Sequence, residues 1–383
     1  TTSPRLMPAT LSQHVFPKPR VAVIGDMNLP QCRKYRMYQK LEVLEAAGIA
    51  ASHSHWEDSS RGTNLLQTAT VALFYRARQG DIFEHYLREC RRLGVPVLYD
   101  LDDPIFSREI YEANVNLNFL DPIERDSLLG SSPYYLMAMR AADGLIGSTP
   151  RICDEMAKLT GKPVSLWRNL VDAEARHAAS LVNAVPPQRT DMGRIRIAYA
   201  SGSRAHEADF RVVEAQLLRH LRDNTHVDLH VIGYLNLPSA FKPYADRITS
   251  EPFTDYTGYL TAIAACDYGI IPLVDDVFND CKSAIRYLDA AMVRLPVIAS
   301  AVGDFKHVCV HDQTALLASN ALEWSNALDR MTSDAALRRR LSTAAGVDVF
   351  ANQTTTGYLD RMPASLQRAL RGPGQSLDLS YAA

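Results

Sequence analysis

The chain has 383 residues, of which 47% are hydrophobic and 22% are charged, and its formal net charge is −2. The length favours two domains, because single hydrophobic cores stop growing near ~250–300 residues. So small a net charge gives no general attraction to nucleic acid or to an anionic membrane. The six cysteines include no C-x-x-C pair, which argues for reduced thiols and against a zinc site. No apolar run approaches ~20 residues and no signal-peptide core is present, so we expect a cytoplasmic protein; peripheral membrane contact stays open.

The N-terminal half alternates short apolar runs with helical patterns. Six strands are predicted there, at 21–26, 49–55, 70–75, 96–101, 144–149 and 163–167. Two of the intervening helical stretches end on Gly48 and Gly94, as helix C-termini commonly do. Regular alternation of strand and helix is typical of right-handed βαβ units around a parallel sheet.

The pattern restarts after a weakly periodic stretch that contains two prolines, and strands are predicted at 195–202, 227–233, 268–273 and 296–300. A later helical pattern contains Pro363, which should kink or divide it. We therefore expect an α/β protein with two Rossmann-like domains facing a central cleft. The expected ranges are an N-terminal domain over 1–171, a linker over 172–194, a C-terminal domain over 195–352, a helical segment over 353–371 able to pack back on the first domain, and a mobile tail over 372–383.

Ligands of open parallel sheets bind outside the carboxyl ends of the strands, so motifs at those ends were sought. The first is YASGSRAHEADF, residues 199–210. Gly202 would allow a ligand close to the backbone, Ser203 would add a hydroxyl, and Arg204 and His206 would add donors beside a helix start. The alternative is a tight turn with a serine N-cap.

The second motif opens the stretch FNDCKSAIRYLDAAM, residues 278–292. A helix starting near Cys281 would place Lys282 and Ser283 in its first turn, where free N–H groups and the helix dipole favour an anion. Asp289 would share the face of Lys282 and could accept hydrogen bonds from ribose hydroxyls. Alternatively, this face is simply solvated.

The third motif is VLYDLDDPIF, residues 97–106, a strand that ends in Asp100, Asp102 and Asp103. Clustered carboxylates repel one another and need compensation. They could hold a divalent metal, position an acceptor hydroxyl or act as a general base. The alternative is that Asp102 or Asp103 caps the next turn.

A weaker cluster follows the first strand, where Arg33 and Arg36 lie within QCRKYRMYQ. These cations could contact phosphates or an anionic acceptor, or they could cover a surface. No G-x-S-x-G, H-E-x-x-H, Walker A or G-x-G-x-x-G pattern occurs, which argues against hydrolase, zinc protease, P-loop and dinucleotide-binding functions.

Taken in order, these stretches resemble the GT-B glycosyltransferases, closest to the family 4 type with a D-x-D-D strand and a K-S donor helix. The resemblance covers roughly residues 20–350 and is carried by CRKYRMYQKLEVLEAAGI, VPVLYDLDDPIF, ADGLIGSTPRICDEMAKLTGKPVSLWRNLVD, IAYASGSRAHEADF, FNDCKSAIRYLDAAMVRLPVIASAVGDF and TALLASNALEWSNALDRMTSDAALRRRLS.

The resemblance implies transfer of a sugar from a nucleotide-diphosphate sugar, of UDP or GDP type, to a hydroxyl on a glycan, lipid-linked or protein acceptor. It implies retention of configuration and no metal or other cofactor. The implied donor-binding residues are Gly202, Ser203, Arg204, His206, Asp280, Lys282, Ser283 and Asp289. The implied catalytic residues are Asp102, Asp103 and Lys282, with Arg33, Arg36 and Asp100 on the acceptor side.

Two departures from the family pattern matter. Asp289 stands at the second acid of the family's paired glutamates, but Cys281 stands at the first, so either Asp280 replaces it or its role is absent. The family's Arg-x-x-Lys-Gly run is also missing after Gly202. A catalytically silent GT-B module that binds a nucleotide or glycan therefore stays open, as does an unrelated two-domain small-molecule binder with a hinge.

Overall fold

The structure is a computed structural model, and it describes residues 18–185, 193–202 and 206–371. The expected tail over 372–383 lies outside the described residues, as do Ser203 and Arg204 of the first motif. Within the described part of the chain, twelve strands form two parallel sheets of six strands each. This confirms the predicted α/β class and the ten strands expected from the sequence.

The N-terminal sheet has the strand order β2-β1-β3-β4-β5-β6. Its strands are β1 (Arg20–Gly25), β2 (Ala50–His55), β3 (Val71–Tyr75), β4 (Val97–Leu101), β5 (Gly144–Gly147) and β6 (Val164–Leu166). The central strands β3 and β4 are buried along their whole length, as continuous apolar runs in a doubly covered sheet should be.

The C-terminal sheet has the order β12-β11-β10-β7-β8-β9. Its strands are β7 (Ile195–Ser201), β8 (Val227–Gly233), β9 (Ile248–Glu251), β10 (Tyr268–Ile271), β11 (Val297–Ser300) and β12 (Leu316–Ala318). Strands β7 and β8 pair in register from Ile195 opposite Val227 to Ser201 opposite Gly233. Gly233 has a φ of +93°, and a Cβ there would lie 2.2 Å from the Ser201 carbonyl oxygen, so only glycine fits where these strands end.

Helices cover both faces of each sheet. In the first half they are α1 (Pro30–Cys32), α2 (Gln39–Ala46), α3 (Ser59–Leu66), α4 (Asp81–Leu93), α5 (Arg108–Glu112), α6 (Pro122–Gly130), α7 (Ser132–Ala141), α8 (Pro150–Thr160) and α9 (Ala173–Ala184). A π-helical turn, Arg33–Tyr38, joins α1 to α2, and a 3₁₀ segment, Val115–Phe119, follows α5.

In the second half the helices are α10 (Glu207–Arg211), α11 (Glu214–Asp223), α12 (Tyr256–Ala264), α13 (Val277–Asp280), α14 (Ile285–Met292), α15 (Phe305–Val308), α16 (Ala321–Ser333), α17 (Ala335–Asn352) and α18 (Ala364–Arg371). Two 3₁₀ segments, Ser239–Arg247 and Thr356–Arg361, complete the set. None of the helices in the described ranges has the length and apolar composition needed to cross a lipid bilayer.

The chain passes from the first sheet to the second near Val171 and returns near Thr354. The two passing segments lie side by side: the Val171 amide donates to the Gln353 carbonyl at 2.8 Å, and the Thr355 amide donates to the Val171 carbonyl at 3.0 Å. After the return, α18 packs on the N-terminal sheet, where Leu366 and Leu370 join the core around β1 and β3. Pro363 lies between the last 3₁₀ segment and α18, so the predicted helix is two pieces.

The stretch expected to be a linker, 172–194, contains α9 over Ala173–Ala184. Asp172 caps this helix by accepting from the Ala175 amide at 2.8 Å. Ala175, Ala179 and Val182, spaced by three or four residues, pack into the core of the C-terminal half. Residues 186–192 lie outside the described ranges.

Candidate functional site

The N-terminal wall of the site is built where β3 and β4 end. Arg76, directly after β3, has a left-handed backbone with a φ of +50°, which turns its guanidinium towards the end of β4. Its Nε donates to Asp102 Oδ1 at 2.9 Å, and its Nη2 forms a short ion pair with Asp103. The Tyr75 hydroxyl also donates to Asp102 Oδ1, at 2.9 Å. The sequence-predicted acids Asp102 and Asp103 are therefore brought together around one arginine.

The two carboxyls differ in their electrostatic surroundings. Burial alone would raise the pKa of Asp102, but the charges of Arg76 and Arg36 and the hydrogen bonds from Tyr75 and Arg76 together outweigh it, and the pKa lies below its usual range. Burial raises the pKa of Asp103 more than Arg76 lowers it, and the neighbouring Asp102 charge adds to the rise. Asp103 is also the more exposed, with 36% of its side chain accessible against 15% for Asp102. Asp103 is therefore the more basic and more accessible carboxylate of the pair.

Arg36 and Asp100, both expected on the acceptor side, lie in the protein interior instead. Arg36 donates through Nε to Asp100 Oδ2 at 3.0 Å and through Nη1 to Asn169 Oδ1 at 2.9 Å. Lys40 Nζ lies 2.9 Å from the same Asp100 oxygen. Neither Arg36 nor Asp100 has any exposed surface, because Arg36 lies on the buried side of the π-helical turn Arg33–Tyr38. Arg33, three residues earlier, is half-buried.

The C-terminal wall begins at the end of β7. Gly202 is exposed there, and a side chain built on it would meet no atom of a described residue within 4 Å. Four residues on, His206 Nδ1 lies 2.8 Å from Asp209 Oδ2. Asp209, which is not among the residues predicted from the sequence, is fully buried, and its Oδ1 also accepts from the Val274 amide at 2.9 Å.

These contacts define the protonation of His206. Burial and, after it, the nearby Lys282 charge lower the pKa of His206 to about 4 in spite of Asp209, so the ring is neutral at neutral pH. The pKa of Asp209 lies below its usual range, because hydrogen bonds and the Lys282 charge outweigh burial. An ionised carboxylate only accepts, so His206 Nδ1 carries the proton and Nε2 is left as an acceptor. His206 is therefore suited to a sugar or ribose hydroxyl rather than to a phosphate.

Lys282 and Ser283 lie just before α14, which begins at Ile285 rather than near Cys281 as expected from the sequence. Cys281 is fully buried and its carbonyl accepts from the Thr149 hydroxyl at 3.0 Å, which draws this turn towards the N-terminal half. Ser283 Oγ accepts from Asn169 Nδ2 at 3.0 Å. The residues before the helix are therefore held by the opposite domain, and they do not belong to its first turn.

Lys282 Nζ forms no hydrogen bond or ion pair with any residue in the described ranges and lies 5.4 Å from the Phe278 ring centre. Burial lowers the pKa of Lys282, against the attraction of Asp209 and Asp103. Arg286, one turn into the same region, has a buried Nη1 without a hydrogen-bond partner. Lys282 thus lies between the two walls of the site, close enough to be attracted by Asp103 of the N-terminal wall and Asp209 of the C-terminal wall.

Asp280 is already paired. Its Oδ1 accepts from Lys306 Nζ at 2.6 Å and from the Gly303 amide at 3.0 Å. Burial would raise the pKa of Asp280, but the hydrogen bonds from Lys306 and the Gly303 amide, together with the charges of Lys306 and Arg151, outweigh it and the pKa is lowered. In this arrangement Asp280 holds the turn after β11 and does not project towards Lys282.

Asp289 is also covered. Only 5% of it is exposed, and it accepts a 2.6 Å hydrogen bond from the Tyr256 hydroxyl. Lys34 lies 4.7 Å from the centre of the same tyrosine ring. Burial raises the pKa of Asp289 to about 7, in spite of the hydrogen bond from Tyr256. Its expected contact with a ribose would require Tyr256 to move aside.

No protein-family model matches the chain, and no curated protein sequence matches it. Solved structures do match. Anabaena HepE in complex with UDP-glucose is 12% identical over 89% of this chain and 97% of its own, with a TM-score of 0.59. Sucrose-phosphate synthase from Thermosynechococcus elongatus is 16% identical over 92% of this chain and 99% of its own, with a TM-score of 0.59.

A third structure is the UDP-forming α,α-trehalose-phosphate synthase from Burkholderia xenovorans, 11% identical over 94% of this chain and 100% of its own, with a TM-score of 0.58. These similarities span both sheets and nearly the full length of each protein. At such low identity they establish architecture alone. With its two parallel six-stranded sheets, the chain has the GT-B fold.

Proposed function

We propose that the protein is a glycosyltransferase of the family 4 type, which moves a sugar from a nucleotide-diphosphate sugar to a hydroxyl acceptor. The donor would be a UDP or GDP sugar, and the acceptor a glycan, a lipid-linked sugar or a protein, in cytoplasmic polysaccharide synthesis. The observation that carries the proposal is Lys282, a partly buried lysine without an anionic partner among the described residues, between the two walls of the site.

A diphosphate leaving group would supply the anion that Lys282 lacks. Burial disfavours the charged form of Lys282, and a phosphate beside it would favour that form again. The unpaired Nη1 of Arg286 offers a second donor near the same point. Fixed cations placed where charge develops on the leaving group stabilise a transition state electrostatically.

The acceptor hydroxyl would lie against Asp103 in the opposite wall. Its raised pKa and greater exposure suit it to accept a hydrogen bond from that hydroxyl, while Asp102 is committed to Tyr75 and Arg76. Because Arg76 already compensates both acids, the site needs no divalent cation to hold them together. This supports transfer without a metal. Retention of configuration follows the family resemblance.

Thermal unfolding with UDP, GDP, dTDP and CMP at millimolar concentration tests the proposal. A ligand at 100 times its dissociation constant should stabilise the protein by about 2.7 kcal/mol, which is several degrees. Lys282→Ala should weaken the binding of the preferred nucleotide at least about tenfold. The matched control is Lys242→Ala, which removes an exposed lysine of the same half. If no nucleotide stabilises the wild type, or if both variants bind alike, the proposal is wrong.

A second candidate is a catalytically silent module that binds a nucleotide or glycan. The pairing of Asp280 with Lys306 and the covering of Asp289 by Tyr256 favour it, since the family's second acid and the residue that could replace its missing first acid are both engaged within the protein. The two candidates differ in turnover. A silent module would bind the nucleotide sugar with the Lys282 dependence described above, but neither hydrolysis nor transfer would release the nucleoside diphosphate.

A further inference from the structure

Asn116 of the N-terminal half makes two side-chain contacts with the C-terminal half. It lies in the 3₁₀ segment Val115–Phe119 and is fully buried. Its Oδ1 accepts from the Ala208 amide at 3.1 Å, and its Nδ2 donates to Asp209 Oδ2 at 3.3 Å. Both ends of one carboxamide are therefore engaged by α10 across the cleft.

The first contact supplies α10 with a cap from another domain. His206 occupies the N-cap position of α10, but its side chain makes no capping hydrogen bond. The Ala208 amide is one of the first-turn N–H groups that have no partner within a helix. Asparagine is among the residues that satisfy such groups best, usually from the N-cap position itself. Here Asn116 does so from the opposite wall.

The second contact reaches the carboxylate that orients His206. Asp209 Oδ2 accepts from both His206 Nδ1 and Asn116 Nδ2. Asp209 Oδ1 accepts from the Val274 amide and from Asn279 Nδ2, each at 2.9 Å. Three of the four donors to Asp209 belong to the C-terminal half. The fourth, Asn116 Nδ2, is present only while the two halves are in contact.

We propose that Asn116 is a positioning residue that couples closure of the cleft to the orientation of the donor-side His206. When the halves separate, α10 loses its side-chain cap and Asp209 loses a donor in the same step, so the imidazole is held less firmly in the open form than in the closed form. The consequence for donor binding rests on the proposed function. The coupling itself concerns only this chain and can be measured without a nucleotide.

Two substitutions separate the coupling from simple capping. Asn116→Asp keeps an oxygen for the Ala208 amide, and aspartate caps as well as asparagine does. However, it replaces the donor to Asp209 by a second carboxylate, which repels the first. Asn116→Ala removes both contacts. The matched control is Asn118→Ala in the same segment, because within the described ranges the Asn118 side chain hydrogen-bonds only to Arg125 of its own half, at 3.2 Å.

The ¹⁵N NMR signals of His206 in the full chain, assigned by their loss in His206→Gln, provide the first readout. The wild type and Asn118→Ala should keep one neutral tautomer, protonated on Nδ1, from pH 5.5 to 8. In Asn116→Asp and Asn116→Ala, opening of the cleft should admit water to the ring and loosen its contact with Asp209, so the ring should titrate in this range. If Asn116→Asp shows the wild-type signals, Asn116 is only a helix cap and the proposal is overturned.

The second readout is UDP affinity measured by calorimetry. Loss of these hydrogen bonds in Asn116→Ala should weaken binding about threefold to tenfold. Equal affinity for the wild type and Asn116→Ala overturns the coupling to donor binding. If UDP does not bind even the wild type but the His206 signals change as described, the proposed function fails while the coupling of Asn116 to His206 stands.

Discussion

The Tyr256 hydroxyl donates a 2.6 Å hydrogen bond to Asp289, a carboxyl that is almost completely buried beneath it. Because burial raises the pKa of Asp289 to about 7, the folded protein favours its protonated form. The contribution of the Asp289 carboxyl to the free energy of unfolding is complete below its unfolded pKa of ~3.9 and is lost as the pH rises through about 7.

We predict that Asp289→Asn removes this pH dependence. The variant should match the wild type near pH 4 and exceed it in unfolding free energy at pH 8, by up to about 4 kcal/mol. Urea unfolding at both pH values measures the difference. Tyr256→Phe, which removes the hydrogen bond to the carboxylate, should steepen the dependence instead. A difference between Asp289→Asn and the wild type that is the same at pH 4 and pH 8 would contradict the assignment.

A second prediction concerns the buried group around Asp100. Asp100→Asn would leave Arg36 and Lys40 buried without their shared anion, so we expect a loss of about 3–5 kcal/mol in unfolding free energy. Lys40→Met is the matched control. Burial lowers the pKa of Lys40 to about 7, and methionine can fill the same space beside Trp167, so the change should stay below about 1.5 kcal/mol. Urea denaturation separates the two outcomes.

A third prediction concerns Arg76. Without its guanidinium, Asp102 and Asp103 would repel each other at neutral pH, and the pKa of each would rise. Arg76→Ala should therefore be destabilised most near pH 7, and the difference from the wild type should shrink as the pH falls and both acids become protonated. Thermal unfolding from pH 4 to 8 tests this. A difference that does not vary with pH would show that Arg76 acts through packing alone.

A fourth prediction concerns the ion pair between Arg168, which follows β6, and Asp304, which follows β11. It joins the two halves, and burial raises the pKa of Asp304 in spite of the arginine. Arg168→Ala should leave that carboxyl uncompensated and favour opening, seen as a larger radius of gyration in small-angle scattering. Arg108→Ala, which breaks a pair within α5, is the control. Equal radii for the two variants would exclude a role in closure.

Most of the fold could be predicted from the sequence because its strands are apolar runs between turn residues. The two strands that were missed lie at the edges of the C-terminal sheet. β9 reads ITSE with no fully buried residue, and β12 has only three residues, so neither carries an apolar run long enough to signal a strand. Their place depends on pairing with β8 and β11, which only the assembled sheet provides.

The site was harder to predict, because its contacts join residues far apart in the chain. The three acids at the end of β4 were recognised as a group, but Asp100, within the strand, points inward to Arg36, while Asp102 and Asp103 pair with Arg76. Strand alternation would have placed Asp102 on the same face as Asp100, so it could not have indicated this division. Arg76 carried a signal too, as a charged residue at the end of a buried strand. Nothing local indicated Asp209 or Asn116, whose partners come from the opposite half.

The chain connects the two halves twice, near Val171 and near Thr354, and these two connections lie side by side. Because the two connections between the halves are adjacent, we expect the halves to rotate about the line through them more easily than they slide or twist. Glu42 holds both connecting segments, since it accepts from the Ala173 amide at 3.0 Å and from the Thr355 hydroxyl at 2.5 Å. One proteolytic cut at either passage would leave the halves attached through the other. Separate expression of the first half would also strip α18 from its sheet and uncover apolar surface around β1 and β3.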